Sequence, residues 1–507
     1  MANSKKNSVS KIKTVSANED PKKINYDLVV IGSGPAGIHA AIQSAKLGAK
    51  ACIIEKNMEK MGGTWIHTGT LPSKTFRESL AAVQNIKHHV GSEWVSRVNQ
   101  ELQLKIFDRA LTVSTQEENV VKRYLSKNGV EVFNGYGYLE SEHKVRVTPT
   151  GGETFVLKAK HTLICTGSRP RRPDDVPFDG WRVVDSDEIL SLKRIPKSMV
   201  IYGAGVIGCE YACIFAALGV EVTLIDSRQR MMQYMDYEVT KEFEKALTEL
   251  GVDIVLGKPL TKIECSGPQA TFMSNDYEVT ADIVFFAAGR VSNTEHIGAE
   301  KLGIKLNERG GAIEVNQNFQ TAIPNIYAAG DAVGYPALAS TSMTQGRHVA
   351  CHAQKVKNFE FPKVFPVGVY TIPEMSMIGK TEEECQNESI DYVVGRASYS
   401  EIARAYIGGE FNGLLKIIVE RCTQKILGIH IVGTDACNLI HIGLAFMMRG
   451  GYAQDFIHMI FNHPTLAEGY KIAGFNALNK IFKDGNILTP CKETQKILEK
   501  EKKGDVA

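Results

Sequence analysis

Apolar and polar residues alternate along the amino-terminal half of the chain in a way that predicts strands and helices in turn. Two apolar runs, 26–31 and 51–54, have the length and composition of buried strands. Residues 75–130 carry apolar positions at helical spacing and contain no proline, which predicts one or two amphipathic helices. Shorter strand-like runs follow at 130–133 and 144–147. This order of elements is typical of an α/β fold.

A strand–turn–helix–strand pattern starts at residue 26 and is repeated between residues 198 and 226. Each copy has three glycines at G-x-G-x-x-G spacing and a carboxylate 23 positions after the first of them: Gly32, Gly34, Gly37 and Glu55, then Gly203, Gly205, Gly208 and Asp226. The glycines form the tight turn, let the backbone approach a pyrophosphate and permit close helix–strand packing. The helix N-terminus offers free N–H donors to the pyrophosphate, and the carboxylate is placed to bind ribose hydroxyls. The repeat therefore predicts two dinucleotide sites.

The end of the second copy contains groups that suit two different nucleotides. Asp226 would hydrogen-bond the free 2′-hydroxyl of NAD and repel the 2′-phosphate of NADP, whereas Arg228 or Arg230 would accommodate that phosphate. Both arginines could instead be ordinary surface residues. The sharper hypothesis is a site that accepts both NAD and NADP.

The carboxyl-terminal part of the chain has a different pattern. Residues 413–419 and 426–432 are alternating runs that predict antiparallel strands covered by helices. Together with the two dinucleotide units, this pattern predicts an α/β chain with two Rossmann-like domains and a further α+β domain.

Composition narrows the possible partners and the location. A formal charge of +2 over 507 residues gives no reason to expect a nucleic-acid partner. No apolar run approaches the roughly 20 residues that span a bilayer, so we expect no membrane contact. Residues 1–24 are polar and lack the apolar core of a signal peptide, and the ten cysteines are scattered, so we expect a cytoplasmic protein with reduced thiols.

The stretch Met61–Lys74 carries the most specific signal. It reads Gly-Gly-Thr-Trp-Ile-His-Thr-Gly-Thr-Leu-Pro-Ser-Lys after Met61 and resembles the active-site segment of the flavoprotein disulfide reductases. Those enzymes have two cysteines where this chain has Trp65 and Thr70. Because a disulfide exchanges electrons only through two sulfurs, the resemblance implies a flavin reductase without the disulfide step. Within that family, the soluble flavin-dependent pyridine nucleotide transhydrogenases show a similar departure.

Three further segments resemble the same family and extend the match over roughly residues 25–480. They are 161–170, which contains Thr-Gly-Ser, 282–290, which ends Ala-Gly-Arg, and 325–332, which contains Gly-Asp-Ala. The resemblance implies FAD in the first dinucleotide site, NAD or NADP in the second, and a ribityl contact by Asp331. The cofactor-binding residues that it adds to the two fingerprints are Gly63, Thr64, Thr166, Gly167, Gly289, Gly330 and Asp331.

The resemblance also implies catalytic residues and a homodimer. Lys74 and Glu210 are expected to pair beside the reactive nitrogen of the flavin. The segment Asn-His-Pro-Thr-Leu-Ala-Glu places His463 and Glu468 in a dyad that would reach the partner subunit's site. With no thiol to serve, this dyad either protonates or positions something at the flavin or is a structural remnant. Cys209 and Cys213 share a helix face and are expected to be packing residues, and no metal is expected.

The resemblance gives the domain limits and the expected reaction. The expected limits are a tail at 1–24, an FAD domain at 25–170 and 291–357, an NAD(P) domain at 171–290, a dimerisation domain at 358–482 and a charged tail at 483–507. The expected reaction is hydride transfer between NADPH and NAD⁺ by a ping-pong mechanism. The alternatives are an NAD(P)H diaphorase or oxidase that reduces quinone or oxygen, and a flavin-bearing binding protein with residual activity. Nucleotide preference, direction of flux and the physiological acceptor stay open.

Overall fold

The computed structural model of this chain describes residues 25–90, 100–192, 194–308, 310–357 and 359–483. The expected tail at 1–24 and all but the first residue of the expected tail at 483–507 lie outside these ranges. Within the described residues the chain forms three units in the order that the sequence pattern predicts, and the α/β fold class with its α+β unit is confirmed.

The first unit is a mixed sheet with helices against it. Its core strands are apolar on both faces, because helices pack on one face and strands β4 and β5 with residues between 297 and 323 pack on the other. Strands β1, β2, β3 and the end of β6 run parallel to one another. The elements of this unit in the first half of the chain are β1 (Asn25–Ile31), α1 (Pro35–Lys46), β2 (Ala51–Glu55), α2 (Thr64–His67), α3 (Thr70–Val90), α4 (Gln100–Lys127), β3 (Glu131–Asn134), β4 (Tyr136–Ser141), β5 (Lys144–Thr148) and β6 (Phe155–Ile164). The strand order is β3-β2-β1-β6-β5-β4. Helices α3 and α4 are the two amphipathic helices predicted for 75–130.

The second unit repeats the parallel arrangement. It follows the short strand β7 (Ser168–Pro170), and its parallel sheet has the order β11-β10-β9-β15-β8 beside a small antiparallel sheet of β12, β13 and β14. Its elements are β8 (Val183–Val184), β9 (Ser198–Tyr202), α5 (Val206–Ala217), β10 (Glu221–Asp226), α6 (Tyr237–Glu249), β11 (Val252–Leu256), β12 (Lys262–Ser266), β13 (Gln269–Met273), β14 (Glu278–Ala281) and β15 (Ile283–Phe286).

The chain then returns to the first unit. Strand β16 (Arg290–Ser292) pairs antiparallel with β7, so the outgoing and returning segments form a two-stranded ribbon between the units. Strand β17 (Ile326–Ala328) joins β6 in parallel, and helix α7 (Ala339–Ala353) packs on α1. The first unit is therefore assembled from two separate parts of the sequence.

The third unit is an antiparallel sheet with helices on it. The strand order is β18-β19-β22-β21-β20. Strands β19, β21 and β22 do not show the predicted alternation but are buried at almost every position, because the covering helices pack on one face and the core shared with the second unit takes residues from the other. Its elements are β18 (Val367–Val369), β19 (Met375–Gly379), α8 (Glu382–Asn387), β20 (Tyr392–Ser398), α9 (Ala403–Gly408), β21 (Leu414–Glu420), β22 (Ile426–Val432), α10 (Ala436–Met447), α11 (Ala453–His458) and α12 (Glu468–Lys483).

One apolar core crosses the boundaries between the units. Side chains of α3 (Phe76 and Leu80), of α5 (Cys209 and Cys213) and of the third unit belong to the same buried cluster. The two cysteines are packing residues, as the sequence analysis expects. This shared core brings α3 and α5 side by side, and these two helices carry the predicted catalytic pair.

Candidate active site

The first glycine-rich turn has the geometry of a dinucleotide cradle. Gly32 has a φ of +106°, and a Cβ there would lie 2.3 Å from the carbonyl oxygen of Cys165, so a side chain does not fit. A Cβ on Gly37 would lie 2.2 Å from the Gly32 carbonyl oxygen, which is the close helix–strand packing that the fingerprint predicts. Gly34 precedes the first residue of α1, where no side chain caps the helix N-terminus.

Glu55 lies at the end of β2 beside this turn. Its carboxylate accepts hydrogen bonds from the backbone N–H of Ser33 (2.9 Å), the Ser33 hydroxyl (2.6 Å) and the backbone N–H of Asn57 (2.9 Å). These bonds hold the carboxylate at the mouth of the turn, where a ribose of a bound dinucleotide would lie.

The remaining predicted flavin residues gather around the same turn. Gly63, with a φ of +75°, approaches Gly34 so closely that a Cβ on it would lie 3.3 Å from the Gly34 Cα, and Thr64 opens α2 directly after it. Thr166 follows β6, and its hydroxyl is buried with no hydrogen-bond partner among the described residues. A glycine cradle with an unsatisfied buried hydroxyl fits a polar group such as the diphosphate or ring of FAD.

Asp331 lies in a short 3-10 helix that follows β17. Its carboxylate accepts a hydrogen bond from the Ser168 hydroxyl at 2.6 Å, and its carbonyl oxygen accepts one from Ser292 at 2.9 Å. Gly330 donates its backbone N–H to the Gln345 side chain at 2.7 Å. Gly167 directly precedes Ser168, the first residue of β7, so both predicted flavin motifs converge at the edge where β6 and β17 end.

The second glycine-rich turn borders a cleft of about 630 Å³. The predicted residues that line it are Gly203, Gly205, Asp226, Arg228 and Gly289. Gly208 lies behind the turn, where a Cβ would meet the Gly203 carbonyl oxygen. Arg171 and Arg290 add positive charge to the lining, which suits the anionic diphosphate of a pyridine nucleotide.

Asp226 and Arg228 form an ion pair at the edge of this cleft. The Arg228 guanidinium donates to both carboxylate oxygens, at 2.9 and 2.7 Å, and Ala204 donates its backbone N–H at 2.6 Å. Burial alone would raise the pKa of Asp226, but these hydrogen bonds outweigh it and lower that pKa. Asp226 is buried, whereas the Arg228 side chain is 44% exposed. The carboxylate is thus fixed and the arginine can reach outwards.

Arg230, the other predicted phosphate ligand, lies outside the cleft lining. Its guanidinium donates to Glu383 at 2.8 Å and to the Thr240 hydroxyl at 3.3 Å, and it lies over the Tyr237 ring. These contacts engage Arg230 with α6 and with Glu383 of the third unit, so we propose Arg228 alone for the 2′-phosphate. The two arginines are two positions apart after β10, and of the two only Arg228 lines the cleft.

Lys74 of α3 and Glu210 of α5 meet as the resemblance implies. The Lys74 ammonium lies 2.8 Å from each carboxylate oxygen of Glu210. Glu210 also accepts the backbone N–H of Tyr370 at 3.0 Å, and the ammonium lies over the Tyr370 ring, 5.1 Å from its centroid. Burial raises the pKa of the Tyr370 hydroxyl to about 12. All three units therefore contribute to the surroundings of one lysine.

The two positions that hold cysteines in the disulfide reductases are on adjoining helices. Trp65 lies in α2, packs against the apolar core of the first unit and buries its indole N–H without a partner among the described residues. Thr70 is the first residue of α3. Neither position offers sulfur, so a dithiol cannot form there.

His463 and Glu468 form the predicted hydrogen bond within one chain. Nδ1 of His463 lies 2.9 and 3.0 Å from the two carboxylate oxygens, and Thr465 donates its backbone N–H to the same carboxylate. Burial alone would raise the pKa of Glu468, but the hydrogen bonds from His463 and Thr465, together with the charge interaction with His463, outweigh it and lower that pKa. The His463 side chain is 70% exposed, so the structure of one chain does not bring it into the Lys74 pair.

The one acidic group with metal-like spacing among the described residues is Asp236, Glu238 and Glu382, and the buried Lys416 ammonium already lies 2.7 Å from Asp236. Of the nine cysteines within the described residues, eight have free thiols, but Cys422 is disulfide-bonded, which corrects the expectation that all thiols are reduced. Cys491 lies outside the described residues.

In the described part of the chain, no helix combines the length and apolarity that a membrane crossing needs.

Sequence reasoning did not find three contributors to the site. Tyr370 acts through its backbone N–H and ring face, which no motif encodes. Ser168 and Arg290 lie within quoted motifs, yet their contact depends on how β7 pairs with β16. A basic residue directly after the Ala-Gly of 282–290 was the available signal for Arg290.

Comparisons with known proteins agree with this arrangement. A pyridine nucleotide-disulphide oxidoreductase model matches residues 26–346, and a dimerisation-domain model of the same group matches 365–473. The soluble pyridine nucleotide transhydrogenase of Mycobacterium bovis is 40% identical over 461 residues, which is 90% of this chain and 98% of that protein. The enzyme of that name from Pseudomonas entomophila is 38% identical over 462 residues, 90% of this chain and 99% of that protein.

Two solved structures are similar across most of the chain. The copper(II) complex of RclA, an HOCl-induced flavoprotein disulfide reductase from Escherichia coli, matches with a TM-score of 0.81 and 27% identity, covering 89% of this chain and 99% of that one. LpdA from Mycobacterium tuberculosis matches with a TM-score of 0.81 and 25% identity, covering 88% of this chain and 98% of that one.

The fold and the two nucleotide sites define an oxidoreductase that uses FAD and a pyridine nucleotide. The chain belongs to the pyridine nucleotide-disulphide oxidoreductase family.

Proposed function

We propose that this enzyme transfers hydride between NADPH and NAD⁺ with FAD as the intermediate carrier. The observation that carries the proposal is the Asp226–Arg228 pair, which offers groups for a 2′-hydroxyl and a 2′-phosphate at one cleft. The names and similarity of the transhydrogenases from Mycobacterium and Pseudomonas support it. The absence of sulfur at Trp65 and Thr70 supports it further, because electrons then have no route to a disulfide substrate.

One cleft can serve both nucleotides in turn. For NADPH, the exposed Arg228 side chain turns from Asp226 to the 2′-phosphate, and the backbone N–H groups of Ala204 and Arg228 continue to hold the carboxylate. For NAD⁺, Arg228 stays on Asp226 and the carboxylate accepts from the 2′-hydroxyl. NADP⁺ leaves before NAD⁺ enters, which is a ping-pong order.

The first unit holds the flavin. When bound, FAD supplies the chemistry by taking a hydride from one nicotinamide and giving it to the other. Glu55 would bind the ribose of the adenosine, the uncapped N-terminus of α1 would bind the diphosphate, and Asp331 would bind the ribityl chain. The orphaned Thr166 hydroxyl would gain a partner.

Lys74 provides fixed positive charge for the reaction. Its ammonium is pinned by both oxygens of the buried Glu210, so it needs no reorganisation when negative charge develops beside it. Glu210 limits the effect, because the pair is neutral overall. Lys74 therefore favours electron-rich flavin without trapping it, as an enzyme that must release the hydride again requires.

We also propose that the enzyme is a homodimer in which His463 serves the partner subunit's site. A dimerisation-domain match at 365–473 supports the dimer, and the exposed imidazole, oriented by Glu468, supports a contact beyond its own chain.

The test is an anaerobic half-reaction experiment on the purified yellow enzyme. NADPH is added until the visible flavin absorbance falls, NADP⁺ is removed, and NAD⁺ is added. We expect rapid return of the absorbance with one NADH formed per flavin. If the absorbance returns only with oxygen or a quinone, the enzyme is an oxidase or diaphorase. If neither NADPH nor NADH lowers the absorbance, it is a flavin-binding protein.

A further inference from the structure

A chain of hydrogen bonds connects the nucleotide cleft to the predicted flavin ligand Asp331. Arg290 lines the cleft, and its Nε–H donates to the Ser168 hydroxyl at 2.8 Å. The Ser168 hydroxyl in turn donates to the Asp331 carboxylate at 2.6 Å. Two side chains therefore bridge the two nucleotide sites, across the β7–β16 ribbon that joins the units.

The hydrogen bonds of Ser168 run in one direction, from Arg290 to Asp331. A serine hydroxyl has one proton and accepts through its oxygen. Because the oxygen accepts from Arg290, the proton points to Asp331. A second bond, from Arg290 Nη2 to the Ser168 carbonyl oxygen at 2.9 Å, fixes the guanidinium against the same residue. The position of Arg290 thus sets the orientation of the Ser168 hydroxyl, from which Asp331 accepts a hydrogen bond.

Arg290 also keeps bonding capacity for a ligand. A guanidinium has five N–H groups. Three are engaged, two with Ser168 and one with the Ser186 hydroxyl at 3.4 Å, and within the described residues the other two have no hydrogen-bond partner. They can donate to an anionic diphosphate in the cleft without releasing Ser168.

We propose that Arg290 and Ser168 couple the two sites, so that a pyridine nucleotide in the cleft tightens the hold on FAD. A bound diphosphate fixes Arg290, which fixes the Ser168 hydroxyl, which fixes Asp331. Since coupling between binding sites is reciprocal, bound FAD must favour the pyridine nucleotide by the same factor. The inference rests on the proposed roles of Asp331 and the cleft, but it holds equally for a transhydrogenase or a diaphorase. Arg290 and Ser168 are positioning residues in this scheme.

The test measures FAD release from the oxidised holoenzyme, followed by flavin fluorescence with an excess of a flavin-trapping protein. ADP-ribose is the probe, because it carries the diphosphate and cannot accept hydride. In the unmodified enzyme, saturating ADP-ribose should slow FAD release by about fivefold or more. In Ser168→Ala, the ratio of the FAD release rates without and with ADP-ribose should fall to less than about twofold, while ADP-ribose still binds. Ser186→Ala is the matched control and should keep the full ratio.

Each outcome decides the matter. Equal ratios in the unmodified enzyme and Ser168→Ala would overturn the coupling, as would no effect of ADP-ribose on the unmodified enzyme. If Ser168→Ala does not retain FAD, the same measurement is made on Arg290→Lys. One ammonium cannot contact the Ser168 hydroxyl, the Ser168 carbonyl oxygen and a ligand in the cleft at once, so the ratio should fall in that variant too. The proposed role of Asp331 and the proposed activity are tested separately. Unchanged FAD release in Asp331→Asn would refute the role of Asp331. If the half-reaction experiment fails while ADP-ribose still slows FAD release, the transhydrogenase activity alone is refuted.

Discussion

Lys74 and Glu210 join the first and second units through one ion pair, with the ammonium 2.8 Å from each carboxylate oxygen. The two residues are 136 positions apart and belong to helices that share one apolar core. Glu210 is buried and Lys74 is partly open, so of the two charged groups only the cation is accessible from outside the pair.

This arrangement predicts opposite effects of the two neutral substitutions. Lys74→Met removes the cation and should lower the midpoint potential of the flavin, whereas Glu210→Gln leaves the cation unbalanced and should raise it. We expect about 30 mV or more in each direction, as measured by equilibrium dye titration. Absorbance loss with NADPH should slow by about 10²-fold in Lys74→Met. The double variant is the control and should lie between; shifts of the same sign in both single variants would contradict the proposal.

Arg228 and Arg230 offer a matched test of nucleotide choice. Arg228→Leu should raise the KM for NADPH by about tenfold or more, since hydrogen bonds to a charged group are worth about 1.5–3 kcal/mol, and change the KM for NADH much less. Arg230→Leu should leave the ratio of the two KM values unchanged, because its guanidinium is engaged with Glu383 and Thr240. An equal change of the ratio in both variants would mean that the cleft is not the 2′-phosphate site.

Trp65 and Thr70 can be tested by restoring sulfur. Trp65→Cys alone should not reduce lipoamide or glutathione disulfide, since one thiol cannot complete the exchange. The assay follows NADPH oxidation with each disulfide, and Thr70→Cys alone is the matched control. Turnover by the Trp65 variant would show that another residue replaces the second sulfur.

His463 should matter for proton uptake rather than for hydride. Transfer between two nicotinamides moves no net proton to the acceptor, whereas reduction of a quinone does. His463→Gln should therefore lower NADPH–quinone activity by about tenfold or more and leave the NADPH–NAD⁺ half-reactions within about twofold. Equal losses in both assays would indicate that His463 positions the flavin or the dimer instead.

His39 predicts how stability depends on pH. Burial first, and the Arg347 charge next, lower the pKa of His39 to about 4, and the Arg347 guanidinium donates to its Nδ1 at 3.0 Å. The unfolded chain, with a pKa near 6.5, binds the proton more readily, so this contribution is complete above about pH 6.5 and is lost as pH falls towards 4. His39→Gln, which can still accept from Arg347, should reduce the fall in Tm between pH 7 and 5. The same change at exposed His89 is the matched control for replacing a histidine.

The sequence alone predicted the elements whose residues determine them locally. Gly32 and Gly203 need left-handed backbone and lie directly after apolar strands, so pattern and turn chemistry point to the same place. The 75–130 helices followed from apolar spacing without proline. The fold class and the family were identified from these segments and from 61–74, and both are confirmed.

Contacts between distant segments could not be predicted from the sequence pattern. Arg228 and Arg230 look alike in the chain, and the turn after β10 sends one to the cleft and the other to Glu383. The Lys74–Glu210 pair was implied by resemblance alone, since spacing gives no contact over 136 positions. Arg290 meets Ser168 only because of the antiparallel register of β7 and β16.

The residues at positions 65 and 70 also determine how many electrons the site of one subunit can hold. A flavin beside a redox disulfide holds four electrons when fully reduced, whereas a flavin beside indole and hydroxyl groups holds two. A reductive titration of this enzyme should therefore end after one two-electron equivalent per flavin. Trivalent arsenicals, which inhibit dithiol enzymes by bridging paired sulfurs, have no target between Trp65 and Thr70, so this site should keep working where a dithiol reductase is poisoned.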